Sequence, residues 1–114
     1  MTVSNIDIFL QKYGFPLSQL IPGKKETALN RDSAKKFLEL LKTERIEVLG
    51  GDVLVRVNKS IGYCHQVWGS KYHFLSWSDE DECDGGYELA LKHIEQAYTL
   101  SKSLGGEVFF SFVY

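Results

Sequence analysis

Apolar residues recur every three or four positions in three segments of the chain, the spacing that places side chains on one face of a helix. The first segment runs from Ser4 to Tyr13 and is followed by Gly14, a residue that commonly ends helices. The second begins at Asn30 or Asp32, since either side chain can cap a helix. Its apolar stripe consists of Ala34, Phe37, Leu38 and Leu41. Both segments are predicted to be amphipathic helices.

The third helical segment is the longest, and Gly105 and Gly106 end it. Its stripe consists of Tyr87, Ala90, Leu91, Ile94, Ala97, Tyr98, Ser101 and Leu104, and His93 beside this stripe is expected to be partly exposed. Between the second and third helices the period falls to 2, which is typical of strands. Residues 46–57 are predicted to form two strands, or one bent strand, around a Gly-Gly-Asp turn or bulge.

More strands are predicted on either side of the last helix. Residues 58–62 resemble a hairpin turn, and the aromatic-rich residues 63–76 are predicted to supply further strand material. Residues 107–114 are predicted to form a final strand. Strands bracketed by helices and joined by short links favour an α+β fold, with an antiparallel sheet packed against helices.

The size of the chain limits it to one domain. Its 114 residues, of which 44% are hydrophobic, are too few for two independent cores. We therefore expect a single α+β domain over residues 1–114, with residues 1–26 as an N-terminal helical addition. The N-terminus lacks a basic region followed by an apolar run, and the two cysteines do not form a disulfide framework, so a cytoplasmic protein is expected. No apolar run is long enough to span a membrane.

Charge is distributed unevenly along the chain. The formal net charge is −2, but residues 1–76 carry 11 basic and 7 acidic side chains, whereas residues 77–114 carry 2 and 8. Five carboxylates lie within six residues, just after Trp77, at Asp79, Glu80, Asp81, Glu82 and Asp84. Such a run is either a solvated loop or a surface that attracts a cationic partner. Trp77 beside it is a candidate interface anchor, although tryptophan in strand-like sequence is more often a core residue.

Two other interpretations of the acidic run involve no protein partner. A calcium loop needs an oxygen ligand at its fifth position, a glycine at its sixth and a glutamate at its twelfth. With Asp79 first, these positions hold Cys83, Asp84 and Ala90, so the spacing argues against calcium. Alternatively, Asp84 or the acids before it cap the last helix, where negative charge stabilises the helix dipole.

Candidate catalytic and metal-binding residues are few and lack a recognisable spacing. Cys64, His65, His73 and Cys83 supply thiol and imidazole groups, the raw material of a zinc site or a thiol enzyme. The spacing matches neither a zinc motif nor a known nucleophile motif, so no catalytic residue, metal or cofactor is assigned. The Gly-Gly-Asp sequence likewise lacks the residues that a phosphate-binding loop requires.

Nucleic-acid binding is not predicted. The candidate basic group in the first half comprises Lys24, Lys25, Arg31, Lys35, Lys36 and Lys42, and acidic residues are interspersed with them. Interspersed charges of both signs are typical of an ordinary solvated helix face.

The order of these segments resembles a family of bacterial immunity proteins from polymorphic toxin systems. The resemblance is carried by the helix with Ala34 and Leu38, the Leu-Gly-Gly-Asp-Val sequence at residues 49–53, Trp68, and the final helix and strand. It covers about residues 30–114 and leaves the N-terminal region and the acidic run as additions. It implies a cytoplasmic protein without catalysis that binds a cognate toxin domain and blocks its active site or substrate groove.

The sequence therefore predicts an immunity protein whose contact surface is Trp77 and the acidic run at Asp79, Glu80, Asp81, Glu82 and Asp84. Its partner is expected to be a cationic toxin domain, because a cluster of carboxylates accelerates association with positive surfaces. Two alternatives remain open, a regulatory or adaptor module that binds another protein, and a small thiol-dependent enzyme built on Cys64, His65 and His73.

Overall fold

The computed structural model describes residues 5–16, 27–78 and 86–114. The helices are α1 (Asn5–Tyr13), α2 (Arg31–Thr43), α3 (Cys64–Val67) and α4 (Tyr87–Leu104), with a 3-10 helix at Ser70–Leu75. The strands are β1 (Phe15–Pro16), β2 (Thr27–Ala28), β3 (Gly50–Val57), β4 (Ser60–Tyr63), β5 (Trp77–Ser78) and β6 (Glu107–Val113). The predicted α+β class, with an antiparallel sheet packed against helices, is confirmed.

Strand β3 is the centre of the main sheet, and all its partners are antiparallel to it. Strand β6 pairs with it along one edge from Gly50 to Arg56. The opposite edge is shared by β4, which pairs with residues 54–57, and by β5, which pairs with Gly50 and Gly51. Beyond β6, the backbone of Leu29 exchanges two hydrogen bonds with Phe110.

The sheet has two ends, which helix α4 connects. At the loop end, which comprises residues 48–51, β5 and residues 113–114, β3 begins and β6 finishes. At the hairpin end, β3 turns into β4 through Asn58 and Lys59. Helix α4 contains 18 residues and β3 contains 8, so each is about 26 Å long. This match lets one helix span the whole sheet.

The main hydrophobic core lies between one face of the sheet and the helices. Its fully buried members include Val53 and Val55 from β3, Phe110 from β6, and Phe37, Leu41, Ile94 and Ala97 from the helices. Burying a large aliphatic or aromatic side chain contributes about 1.5–3 kcal/mol. Because side chains alternate along a strand, Leu54 and Phe109 face the other way and form a smaller cluster with Ala28.

Several predicted helix boundaries are confirmed. Helix α1 ends at Tyr13, and α4 runs to Leu104 before Gly105. Asn30 caps α2, because its side-chain oxygen accepts a hydrogen bond from the backbone nitrogen of Ser33 at 2.9 Å. The predicted stripe of α2 is buried.

Three local predictions are wrong. Residues 63–76 are mostly helical, since α3 and the 3-10 helix occupy them and bury Cys64 and Leu75 instead of extending the sheet. The Gly-Gly-Asp sequence is neither a bend nor a bulge, because β3 pairs with β6 in unbroken register from Gly50 onward. His93 is buried rather than partly exposed, because only 7% of the residue is accessible to solvent.

Candidate partner-binding site

The acidic segment, residues 79–84, is attached at the loop end of the sheet. Asp79, Glu80, Asp81, Glu82 and Asp84 lie outside the described residues, and Trp77 is described through its backbone in β5. On the N-terminal side of the segment, Ser78 pairs with Gly50. On its C-terminal side, Gly86 lies against the carbonyl of Val48. Both attachment points therefore meet the same short stretch at the start of β3.

Gly86 is fixed by its conformation and by its surroundings. Its φ angle is +83°, a left-handed conformation that side chains disfavour. A Cβ atom at this position would lie 2.1 Å from the carbonyl oxygen of Val48. The N-cap residue of α4 is Gly86. The prediction that an acidic residue occupies the N-cap position of this helix is therefore wrong.

Tyr87 fastens the first turn of α4 to the chain that leads into β3. Its hydroxyl donates a hydrogen bond to the backbone carbonyl of Ile46. That carbonyl lies in the connector between α2 and β3, so the hydrogen bond joins α4 to the segment that also contacts Gly86. The start of α4 therefore has a defined position relative to the sheet.

Among the described residues of the loop end, three exposed apolar side chains were not singled out by sequence analysis. Leu49, Val113 and Tyr114 are each about half exposed, although Leu49 follows the buried Val48 and Val113 follows the buried Phe112. The backbone nitrogen of Leu49 donates to the carbonyl of Val113 at 2.7 Å, so the two residues are neighbours. The alternation of side chains along an extended chain could have identified Leu49 from the sequence, because consecutive residues face opposite sides. In the structure, Val48 beside it is fully buried.

Tyr114 is held against the core by aromatic packing. Its ring meets the ring of Phe37 edge to face at a centroid distance of 5.6 Å, and Phe37 stacks on Phe112 at the same distance. Burial, and then the carboxylate of Asp7, raise the pKa of the Tyr114 phenol above its usual value. Tyr114 is therefore a neutral hydrogen-bond donor at neutral pH, beside a negative charge.

Two basic residues of α2 form ion pairs with a glutamate of α4. Arg31 donates to both carboxylate oxygens of Glu95 on α4, at 3.1 and 3.2 Å, and Lys35 lies 3.3 Å from the same carboxylate. The hydrogen bonds from Arg31, followed by those from Lys35, lower the pKa of Glu95. Arg31 also stacks on the ring of Tyr98 at 4.1 Å. These contacts join α2 to α4.

A groove of about 410 Å³ lies between α2 and α4, with charges of both signs along its rim. Its lining consists of Lys35, Lys36, Leu38, Glu39, Lys42, Tyr87, Glu88 and Leu91. Because lysines and glutamates alternate there, the groove does not favour a ligand of one charge.

The residues considered for a thiol enzyme contact different partners. Cys64 is fully buried, its thiol donates to the carbonyl of Tyr72 at 3.4 Å, and burial raises its pKa. His65 stacks on Tyr63, whereas Nδ1 of His73 is 3.0 Å from the carbonyl of Ser70. A thiol with a raised pKa is a poor nucleophile. Across the part of the chain that the structure describes, no three of the His, Cys, Asp and Glu side chains could hold a metal ion together.

Comparison with known proteins gives one match. The model of the family described as Immunity protein 40, Imm40, matches residues 9–114. It starts within α1 and therefore includes more of the N-terminal region than the resemblance over residues 30–114. No curated protein and no solved structure matches the chain. Among the described residues, no helix is both long enough and apolar enough to cross a membrane.

Proposed function

The chain belongs to the Immunity protein 40 family, and on this basis we propose that it protects its host by binding a cognate bacterial toxin domain and occluding it. The family match confirms the resemblance to immunity proteins. Inhibition by occlusion needs a complementary surface and no catalytic group. The protein is therefore proposed to act without catalysis, metal or cofactor, in the cytoplasm, as part of a polymorphic toxin system.

The observation that carries the proposed contact surface is the attachment of the acidic segment. Five carboxylates lie between two fixed points, Ser78 and Gly86, at one end of the sheet. A cluster of like charges within a short stretch of sequence produces a localised negative potential. We assign Trp77, Asp79, Glu80, Asp81, Glu82 and Asp84 to the contact surface, with Trp77 as an anchor.

The proposed partner is a toxin domain whose active site or substrate groove is surrounded by positive charge. Toxins that act on nucleic acids or nucleotides need such a surface to attract a polyanionic substrate. Carboxylates of the immunity protein would occupy the same potential and compete with that substrate. Electrostatic complementarity of this kind raises the association rate and selects among partners.

The positive charge of α2 does not favour nucleic-acid binding by the protein itself, because Arg31 and Lys35 form ion pairs with Glu95 and the acidic residues Asp32 and Glu39 lie on the same helix. The buried, hydrogen-bonded Cys64 does not favour a thiol-dependent reaction. Both observations leave protein binding as the function that the described residues support best.

Co-expression tests the proposal. A toxin domain encoded next to this protein is expressed in a sensitive bacterium with and without it, and growth is measured. We expect growth only when the protein is present, together with a stable complex when the two are purified. A toxin domain that remains lethal and does not copurify with the protein would contradict the proposed function.

A further inference from the structure

We propose that an exposed aromatic patch beside the C-terminal half of α4 is a second toxin-binding surface, which receives an apolar side chain from a carboxylate-bearing face of the toxin. The aromatic patch consists of Trp68, Tyr72, Phe74 and Leu100, all of which belong to the described residues. This inference rests on the proposed function, and it adds a contact surface that is distinct from the acidic segment.

The aromatic patch is continuous across two elements of the fold. The ring of Tyr72 neighbours both other aromatic rings, with centroid distances of 5.9 Å to Trp68 and 6.3 Å to Phe74. Phe74 and Leu100 border the same shallow depression of about 430 Å³ on the surface of α4. The depression is also lined by Glu95, Gln96 and Thr99. An apolar side chain placed there would contact Phe74 and Leu100 together.

The exposure of Phe74 is unusual for a phenylalanine. Phe74 is 46% exposed, whereas Leu75 next to it is fully buried. Trp68, Tyr72 and Leu100 pack against the main core but keep part of their surface accessible to solvent. Contiguous exposed apolar side chains commonly mark a binding surface, and aromatic residues are enriched in protein interfaces.

The backbone that carries the aromatic patch is fixed by contacts at several points. The indole nitrogen of Trp68 donates to the carbonyl of Gly105, the residue after α4, at 3.3 Å. The thiol of Cys64 donates to the carbonyl of Tyr72, and Leu75 belongs to the main core. A preorganised surface loses little conformational entropy when it binds, so more of its burial is retained as affinity.

Two lysines flank the aromatic patch. Lys71 precedes Phe74 by three positions, and residues three apart lie on the same side of a 3-10 helix. Its Nζ atom is 5.3 Å from the centroid of the Tyr72 ring. Lys92 is exposed and lies one helical turn before Gln96, which lines the depression.

The positive charge of these lysines indicates the chemistry of the partner. Two carboxylates of this region are already paired, because Glu95 binds Arg31 and Lys35, and Glu107 binds Arg56. The ion pairs formed within the described residues include neither Lys71 nor Lys92. An apolar surface with a positive surround is complementary to an apolar side chain flanked by carboxylates. A second copy of the chain fits less well, because a symmetric contact would bring like charges together.

The first experiment compares two exposed aromatic residues. Phe74→Ala removes the exposed ring of the aromatic patch, and Phe74→Tyr keeps that ring. Tyr13→Ala is the matched control, because Tyr13 is 42% exposed, adjoins another aromatic ring and lies on α1, which packs against α2. Dissociation of the complex with the toxin domain encoded next to this protein is measured by surface plasmon resonance.

We expect Phe74→Ala to accelerate dissociation about tenfold or more, because truncated anchors act mainly on the dissociation rate. Tyr13→Ala and Phe74→Tyr should change the dissociation rate less than about twofold. Thermal melts of the free variants check folding, and the melting temperature of Phe74→Ala should stay close to that of the unaltered protein because the side chain is half exposed.

A charge reversal tests the proposed acidity of the partner. Lys71→Glu with Lys92→Glu changes the net charge as much as Lys36→Glu with Lys42→Glu, two exposed lysines of α2. We expect the first pair to weaken binding about tenfold more than the second, because the new carboxylates would face carboxylates of the toxin.

Equal dissociation rates for Phe74→Ala and Tyr13→Ala would overturn the inference, and so would equal effects of the two charge reversals. Analytical ultracentrifugation of the free protein tests a second copy as the occupant. A dimer that Phe74→Ala converts to monomers would also overturn the inference. None of these results would reject the proposed function if the unaltered protein still protects cells, whereas failure of the unaltered protein to bind or protect would reject it.

Discussion

Gly86 occupies a position where an added methyl group would collide with the backbone carbonyl of Val48. The neighbouring Tyr87 donates a hydrogen bond to the carbonyl of Ile46 in the same connector. These two adjacent residues thus hold the start of α4 against the chain that enters β3. Neither role follows from helical periodicity, because each depends on a contact with a segment about 40 residues earlier in the sequence.

Gly86→Ala is expected to lower the free energy of unfolding by about 1–3 kcal/mol, through the left-handed backbone and the clash together. Gly105→Ala is the comparison without a clash. Gly105 also has a positive φ, +79°, but its ψ is 158° against 0° for Gly86, and no atom lies within 4 Å of the place where its Cβ would be. Because alanine tolerates the backbone of Gly105 less well than that of Gly86, a loss for Gly86→Ala that equals or exceeds the loss for Gly105→Ala in chemical denaturation would show the contribution of the clash. A much smaller loss for Gly86→Ala would contradict it.

Residue-level prediction from sequence succeeds where the cause is local and fails where it is not. Asn30 was recognisable as a cap because the residue that it bonds, Ser33, is only three positions away. His93 is a buried polar residue beside the apolar stripe of α4. Helical periodicity does not show whether such a residue is packed inside or faces solvent. The exposure of Tyr114 depends on where β6 ends relative to β3.

At the scale of elements, the cap of α2 offers a test of local stabilisation. Asn30→Ala should lower the free energy of unfolding by about 1 kcal/mol, because the backbone nitrogen of Ser33 loses its acceptor. Asn30→Asp should retain most of the stability, since a carboxylate accepts the same hydrogen bond and favours the positive end of the helix dipole. Urea denaturation measures both variants. Equal stabilities of Asn30→Ala and the unaltered protein would show that the cap contributes nothing.

The packing of α2 against α4 includes an ion network whose contribution depends on pH. Since the folded state lowers the pKa of Glu95 below its ordinary 4.5, the stabilisation is present above the unfolded pKa and is lost as pH falls through the folded one. Glu95→Gln should therefore lower the melting temperature slightly at pH 7, and this difference should shrink as the pH falls below about 4. The effect is small because the side chain is 40% exposed.

Thermal melts across this pH range measure the difference for Glu95→Gln. Glu39→Gln, at an exposed position on helix α2, is the control and should show a smaller dependence on pH. A difference for Glu95→Gln that stays constant down to acidic pH would assign the stabilisation to packing rather than charge.

Elements with a long, regular pattern were predictable, and short ones were not. Helix α4 has eight apolar or small residues in a repeating stripe, and β6 is apolar from Val108 to Val113 except at Ser111. Residues 63–76 have the aromatic composition of strands but fold into short helices. Rings such as Trp68 and Tyr72, with centroids 5.9 Å apart, pack on each other there, and β-propensity depends on such packing rather than on the backbone alone.

At the scale of the whole molecule, the charge asymmetry should control the rate of toxin binding. Replacing Asp79, Glu80, Asp81 and Glu82 by Asn or Gln should slow association, because long-range attraction to a cationic face is lost. The dependence of the association rate on salt should become flatter for the same reason. Stopped-flow association at several ionic strengths measures both effects, with the melting temperature as a check on folding.

A smaller charge change separates location from total charge. Glu80→Gln with Asp81→Asn alters the net charge as much as Asp32→Asn with Glu39→Gln, two exposed positions on α2. Only the first pair should slow association markedly if the acidic segment is the contact surface. Equal slowing by both pairs would indicate that net charge matters and that the interface lies elsewhere.

The fold class was predictable from the whole sequence because the change from helical to strand period and back determines an α+β domain. The candidate site was predictable in part. The acidic run is visible as composition, but the exposed Leu49 and Val113 at the same end of the sheet are brought together only by the pairing of the chain around β3 with β6. The assignment of residues 1–26 as an addition stays a prediction.

The closure of the acidic segment at a single point has an evolutionary consequence. Since Ser78 and Gly86 return to the same stretch of chain, the residues between them form an insert that the sheet does not need for its own register. Length and composition can change within such an insert at little cost to the scaffold. When a toxin mutates, the protein can therefore evolve a new specificity through substitutions, insertions or deletions in this one short segment, while the rest of the sequence stays the same.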